Sequence, residues 1–144
     1  MSWMKELAEQ LNYTVANLKG YHPNLTNDSG HIVGKCNPAY NCHGYAFGAR
    51  RWLNLGGHCD GSYHEHAREL GYRRTKNGDY KPGYRTLAVY ADRWGVTHTA
   101  VRVRNGWRSK LGKGPIIFHK TLEDLAGGVY GHPVGFYERW NYKR

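Results

Sequence analysis

Cys42 and His98 are the residues of this chain best suited to do chemistry together. Cys42 stands in Tyr40-Asn41-Cys42-His43-Gly44-Tyr45-Ala46, where a polar loop gives way to a helix-like run, and His98 opens a strand-like run 56 positions later. A thiol at a helix start lies beside unpaired backbone N–H groups and the positive end of the helix dipole, both of which favour thiolate. A cysteine near its ordinary pKa of about 8.5 is only a few per cent ionised at neutral pH, so a sulfur nucleophile also needs a base, and His98 on a strand would supply it. The pair predicts attack by sulfur on a carbonyl carbon. The competing reading makes Cys42 a small buried apolar residue and His98 a satisfied strand histidine.

The surroundings of His98 favour the chemical reading. Thr97-His98-Thr99-Ala100-Val101-Arg102-Val103 alternates, and the chain returns through a hairpin as Trp107-Arg108-Ser109-Lys110-Leu111-Gly112. A polar group on the neighbouring strand can therefore orient the imidazole; Ser109 is the first candidate and His119 the second. Asn41, together with the Cys42 backbone N–H, is placed to donate to an oxyanion. Tyr40, Trp107 and Lys110 flank these positions and are expected to line the substrate site.

Both groups need elements to hold them. Met4, Leu7, Ala8 and Leu11 recur at helical spacing behind Ser2, which predicts a helix from Ser2 to Leu11. Tyr21 to Tyr40 is rich in Pro, Asn, Gly and Ser and reads as a loop with one short extended piece at His31-Ile32-Val33, forming one wall of a cleft. The apolar stripe Tyr45, Ala46, Ala49, Trp52 and Leu53 predicts a helix from Cys42 to Leu53, ended by Gly56-Gly57. A second helix starts at Ser62, whose spacing to Glu65 is that of a capping box, and stops at Gly71. Strands are then expected at 72–75, 86–90, 97–103, 107–110 and 116–119, with turns at Asn77-Gly78 and Asn105-Gly106. A short helix capped by Thr121 runs through Leu125-Ala126, and a last strand within 129–140 is interrupted near Pro133. The fold class is α+β, with N-terminal helices packed on an antiparallel sheet in one domain over 1–144. Residues 1–39 form the first helix and the cleft-wall loop, and 40–140 the core.

This order of elements resembles the papain-like superfamily, and within it the small NlpC-type cell-wall amidases and endopeptidases. Those proteins carry a cysteine at a helix start, a histidine at the start of a sheet strand and a polar residue on the next strand. Here these fall on Cys42, His98 and the Trp107 to Lys110 strand. The runs Leu87-Ala88-Val89-Tyr90, Thr97-His98-Thr99-Ala100, Ser109-Lys110-Leu111-Gly112, His119 and Gly128-Val129-Tyr130-Gly131 are also similar to a bacterial domain family of unassigned function that carries an upstream Asn-Cys pair. The resemblance covers about Tyr40 to Arg139. It implies a papain-like fold and a cysteine amidase or peptidase. Asn41 stands where the amidases carry an acidic residue, and Ser109 where they often carry a histidine.

Composition narrows the partners. The 144 residues hold 21 Lys and Arg against 11 Asp and Glu, a formal charge of +10, which suits an anionic polymer such as peptidoglycan. Nucleic acid ranks below it, because the basic residues are scattered and no nucleic-acid motif accompanies them. A protein inhibitor of the enzyme is a further expected partner, and no organic cofactor is called for. No apolar run approaches the roughly 20 residues of a membrane helix. Met1 to Leu7 lacks the features of a secretion signal, so the expectation is synthesis in the cytoplasm, with any delivery to another cell or to the periplasm by a non-classical route. Three cysteines, Cys36, Cys42 and Cys59, leave an odd thiol, which fits a functional cysteine better than a disulfide scaffold. Cys36, Cys42, His43, His58, Cys59, His64 and His66 could compete as zinc ligands, but without a Cys-x-x-Cys pair their spacing argues against a metal site. The alternative to an enzyme is a non-catalytic basic module that binds nucleic acid or a protein on the same fold.

Overall fold

A computed structural model describes residue 18, residues 20–55 and residues 60–141, with the side chains of Asp60 and Gly61 left out. The helix expected between Ser2 and Leu11, together with His58 and Cys59, lies outside these residues.

Seven antiparallel strands form one sheet. In chain order the elements are β1 (Gly30–Gly34), α1 (Cys42–Phe47), α2 (Asp60–Glu69), β2 (Arg73–Thr75), β3 (Tyr84–Asp92), β4 (Gly95–Val103), β5 (Gly106–Lys110), β6 (Ile116–His119), a 3-10 turn (Leu122–Leu125) and β7 (His132–Trp140). The strands lie side by side as β1-β6-β5-β4-β3-β7-β2. The α+β class read from the sequence is thus present, with the sheet dominant. The extended piece around Ile32 is a true strand that pairs with β6, joining the supposed loop to the sheet edge.

Three expectations need correction. The helix that starts at Cys42 ends after six residues, because Gly48 takes a left-handed conformation (φ 71°) and its N–H turns back to the carbonyls of Gly44 and Tyr45. Trp52, assigned to the apolar stripe, is consequently out in solvent at 40% exposure, while Leu53 is buried. Asn77-Gly78 does not join neighbouring strands, since β7 lies between β2 and β3. Pro133 does not interrupt the last strand: it sits opposite Tyr90, where the β3–β7 register shifts and absorbs the residue that cannot donate.

Each face of the sheet carries its own apolar layer, as the period of two along each strand requires. On one face Leu87, Val89, Val101 and Tyr137 pack with Ala46 of α1 and with Tyr63 and Ala67 of α2. On the other, Ala88, Tyr90, Ala100, Trp107 and Ile117 pack with Leu18, Leu25 and Leu125. His98 shares the second face, its ring stacked 4.0 Å from Tyr130 and edge-on to Tyr90 at 5.3 Å.

Candidate active site

Asn41 builds the start of α1. It is the N-cap, its side-chain oxygen accepts from the N–H of Gly44 at 3.0 Å and of Leu53 at 3.2 Å, and its amide donates to the Leu53 carbonyl at 2.8 Å. That amide was expected to serve an oxyanion. It is committed instead to clamping the loop after α1 against the loop before it. Gly44 is needed for the same closure, since a Cβ there would stand 2.1 Å from the Arg51 carbonyl oxygen.

Cys42 is the first helical residue and lies where β5 leaves β4. The paired register of these strands covers only Val101–Val103 with Gly106–Arg108, and α1 contacts both strands. The Cys42 sulfur sits 4.0 Å from the Thr97 carbonyl oxygen. Backbone N–H groups of Thr99, His43 and Cys42 itself, and the Lys110 ammonium, all favour its anion, but burial outweighs them and pushes the thiol up to about 11. The thiolate expected from the helix start is therefore not the resting form; a six-residue helix offers little dipole against full burial.

His98 is fully buried and anchors a relay. Its Nε2 is 2.8 Å from Ser109 Oγ, Ser109 Oγ is 2.8 Å from His119 Nε2, and His119 Nδ1 is 2.9 Å from the Thr121 carbonyl oxygen. Ser109 and His119, the two rival third residues, thus act in series. Proton positions follow from the last link. A carbonyl can only accept, so His119 carries its proton on Nδ1; its Nε2 must then accept from Ser109, and Ser109 must accept from His98 Nε2–H. The Nδ1 atom of His98 is left as a bare lone pair, buried and without a hydrogen-bond partner. Burial, and next the charge of His119, hold the His98 imidazole neutral, well below its usual pKa. Thiol and imidazole are accordingly both neutral at rest and are not hydrogen-bonded to each other.

Lys110, expected at the substrate, is fully buried and donates to the carbonyls of Asn37, Tyr40 and Gly112, at 2.7, 3.0 and 2.5 Å. It pins the loop that delivers Asn41 and Cys42. Burial lowers its pKa to about 8. Trp107 is buried at 5% exposure in the layer opposite α1, so it packs the core and offers no open face to a substrate. Tyr40 is half-buried beside a cleft of about 530 Å³ with Tyr45 and Arg50.

Sequence reasoning missed Tyr130, Thr99 and His43. Tyr130 stacks on His98 and accepts the Thr97 hydroxyl at 2.5 Å, held there by Gly131, whose positive φ and 2.3 Å clearance to the Ala91 oxygen exclude a side chain. The Gly128-Val129-Tyr130-Gly131 block was the visible signal. Thr99 Oγ1 meets His43 Nδ1 at 2.9 Å and the Tyr63 hydroxyl at 2.7 Å, fastening α1 and α2 to β4. Among the described residues no three His, Cys, Asp or Glu side chains gather to hold a metal; His64 bonds Tyr137, and His66 packs on Phe47.

Residues 31–138 match the family model described as Domain of unknown function (DUF7689). The chain belongs to the DUF7689 family. The matched region contains Asn41-Cys42, His98, Ser109-Lys110, His119 and Tyr130, so the whole constellation is inside it. No curated protein and no solved structure matches the chain.

Proposed function

We propose that the chain is a cysteine hydrolase of papain-like architecture that cleaves an amide bond, with peptidoglycan as the leading substrate and an antibacterial effector as the leading setting. The observation that carries this reading is the relay from Thr121 through His119 and Ser109, which leaves His98 Nδ1 as a bare base on the strand whose backbone holds the Cys42 sulfur. A base aligned by a polar group behind it and with its other nitrogen left unpartnered is what thiol activation requires. On substrate binding the Cys42 proton passes to His98 Nδ1 while sulfur bonds to the carbonyl carbon and the carbonyl π pair moves to oxygen. Collapse of that intermediate breaks the C–N bond, and His98 returns the proton to the leaving amine. Water then gives a proton to His98 as its oxygen bonds to the thioester carbon; the C–S bond breaks, the carboxylic acid leaves, and His98 returns the proton to the Cys42 sulfur. Because both partners are neutral at rest, transfer accompanies attack rather than preceding it.

Purified peptidoglycan sacculi incubated with the wild-type chain should release soluble fragments, and Cys42→Ala should release none while keeping its melting temperature. Equal release by both proteins would remove the thiol mechanism. Two observations favour a second reading, a non-catalytic binding module: the thiol is buried and the formal charge is +10. In that case Cys42→Ala would retain the chain's full biological effect.

A further inference from the structure

We propose that the cleft beside the β3–β4 hairpin recognises a carboxylate-bearing peptide segment, and that under the hydrolase reading this segment is part of the substrate. The cleft has a volume of about 570 Å³, within the range that holds small ligands, and lies on the α1–α2 side of the sheet. Its cations are Arg74 of β2 and Arg93 of the hairpin. Arg74 stands 5.7 Å above the Tyr137 ring and Arg93 4.8 Å above the Trp94 ring. Stacking uses the flat face of a guanidinium and leaves its N–H edge for a carboxylate, which the planar fork fits with two parallel bonds.

Arg74 and Arg93 are the arginines that line the cleft, and like Arg104 over Tyr80 they are stacked on a ring with no ion pair among the described residues. Arg73 is held by Glu138, Arg85 by the Ala46 carbonyl and Arg102 by the Gly106 carbonyl, whereas among the described residues neither Arg74 nor Arg93 has a hydrogen bond or ion pair. Room is made for Arg74, since a Cβ on Gly135 would come within 3.2 Å of its Nη2. The cleft also has exposed apolar surfaces, Trp94 at 57% and Val134 at 59%, which suit the apolar parts of a peptide. Asp92 also lines the cleft, its carboxylate accepting from the Trp94 N–H at 2.8 Å. Two cations and one anion leave a single net positive charge, matched to a carboxylate rather than to the dianionic phosphates that favour unopposed arginines. One exposed indole is not the succession of stacking platforms that a nucleic-acid strand uses. The lining includes Val96, the neighbour of Thr97 whose carbonyl lies near the Cys42 sulfur, and Tyr63, whose hydroxyl bonds Thr99, so the cleft borders the strand that holds the sulfur.

The test uses the full chain carrying Cys42→Ala, titrated with acetyl-Ala-Glu-Ala-amide and with its Gln counterpart, and followed by NMR at the Arg74 and Arg93 Nε–H and Trp94 indole signals. Saturable shifts at these groups with the Glu peptide, weakened at least about tenfold with the Gln peptide or in Arg74→Gln/Arg93→Gln, would support the site. Equal binding of the two peptides, no effect of the double substitution, or tighter binding of hexathymidylate at the same groups would overturn it. Turnover of sacculi by the wild-type chain is scored separately. Hydrolysis without Glu-peptide binding sinks the cleft alone, and binding without hydrolysis sinks the catalytic reading alone.

Discussion

At the scale of single residues, the account turns on which atom of His98 carries its proton. The Thr121 carbonyl dictates the answer through two intervening side chains, so long-range ¹H–¹⁵N spectra should show His98 protonated on Nε2 and bare on Nδ1. Protonation first on Nδ1 would break the relay as drawn. Ser109→Ala would strand two buried ring nitrogens, His98 Nε2 and His119 Nε2. Denaturant unfolding should show a loss of about 1–3 kcal/mol, and the Nε2–H preference of His98 should disappear. Unchanged stability would mean the serine is incidental. The sequence showed the participants but not their order: Ser109 and His119 looked like rivals because spacing along the chain does not reveal that β5 and β6 are adjacent. Nor could it show that burial outweighs the helix start at Cys42, since desolvation depends on what packs around the sulfur.

At the scale of elements, the Ser109-Lys110 pair serves two faces of one strand. Ser109 completes the relay on the His98 face, while Lys110 reaches to the other side and gathers three carbonyls of the loops at Cys42. Lys110→Met keeps the stem and removes the donors, leaving part-buried carbonyls unpaired. We expect a loss of about 3 kcal/mol or more in urea unfolding, with faster alkylation of Cys42 as its loop loosens. A variant with wild-type stability and labelling would refute the pinning role. The strands were legible because β-branched and aromatic residues alternate between turn signals, and β6 begins and ends where expected. The helix from Cys42 was overread, because its apolar stripe continues past Gly48 and only the left-handed turn there stops it. Pairing across β7 depends on contacts far apart in sequence, which periodicity does not carry.

At the scale of the whole molecule, histidines buried on both faces of the sheet couple stability to pH. Burial, the main cause for each, lowers His22, His43 and His119 to about 4 and His98 well below its usual value. Their unfolded pKa is near 6.5, so between these values the unfolded chain binds more protons than the folded one and stability falls as pH falls. The melting temperature should hold above about pH 6.5 and drop by several degrees between there and pH 4. A flat profile across that window would show that these rings do not stay neutral in the folded chain. The single antiparallel sheet was readable from alternation and turn chemistry. The division of its apolar residues into two layers, one under α1 and α2 and one around His98, emerged only with the register, as did the place of Cys42 where β5 leaves β4.

The central claim, that Cys42 is a nucleophile assisted by His98, is tested most directly by acyl transfer that needs no knowledge of the natural substrate. The chain is exposed briefly to p-nitrophenyl acetate at neutral pH and digested, and each of Cys36, Cys42 and Cys59 is scored for acetyl thioester by mass spectrometry. The account predicts acetylation of Cys42 above the other two thiols despite its burial, lost in His98→Ala. Acetylation of Cys42 no faster than that of Cys36 and Cys59, or undiminished without His98, would contradict it.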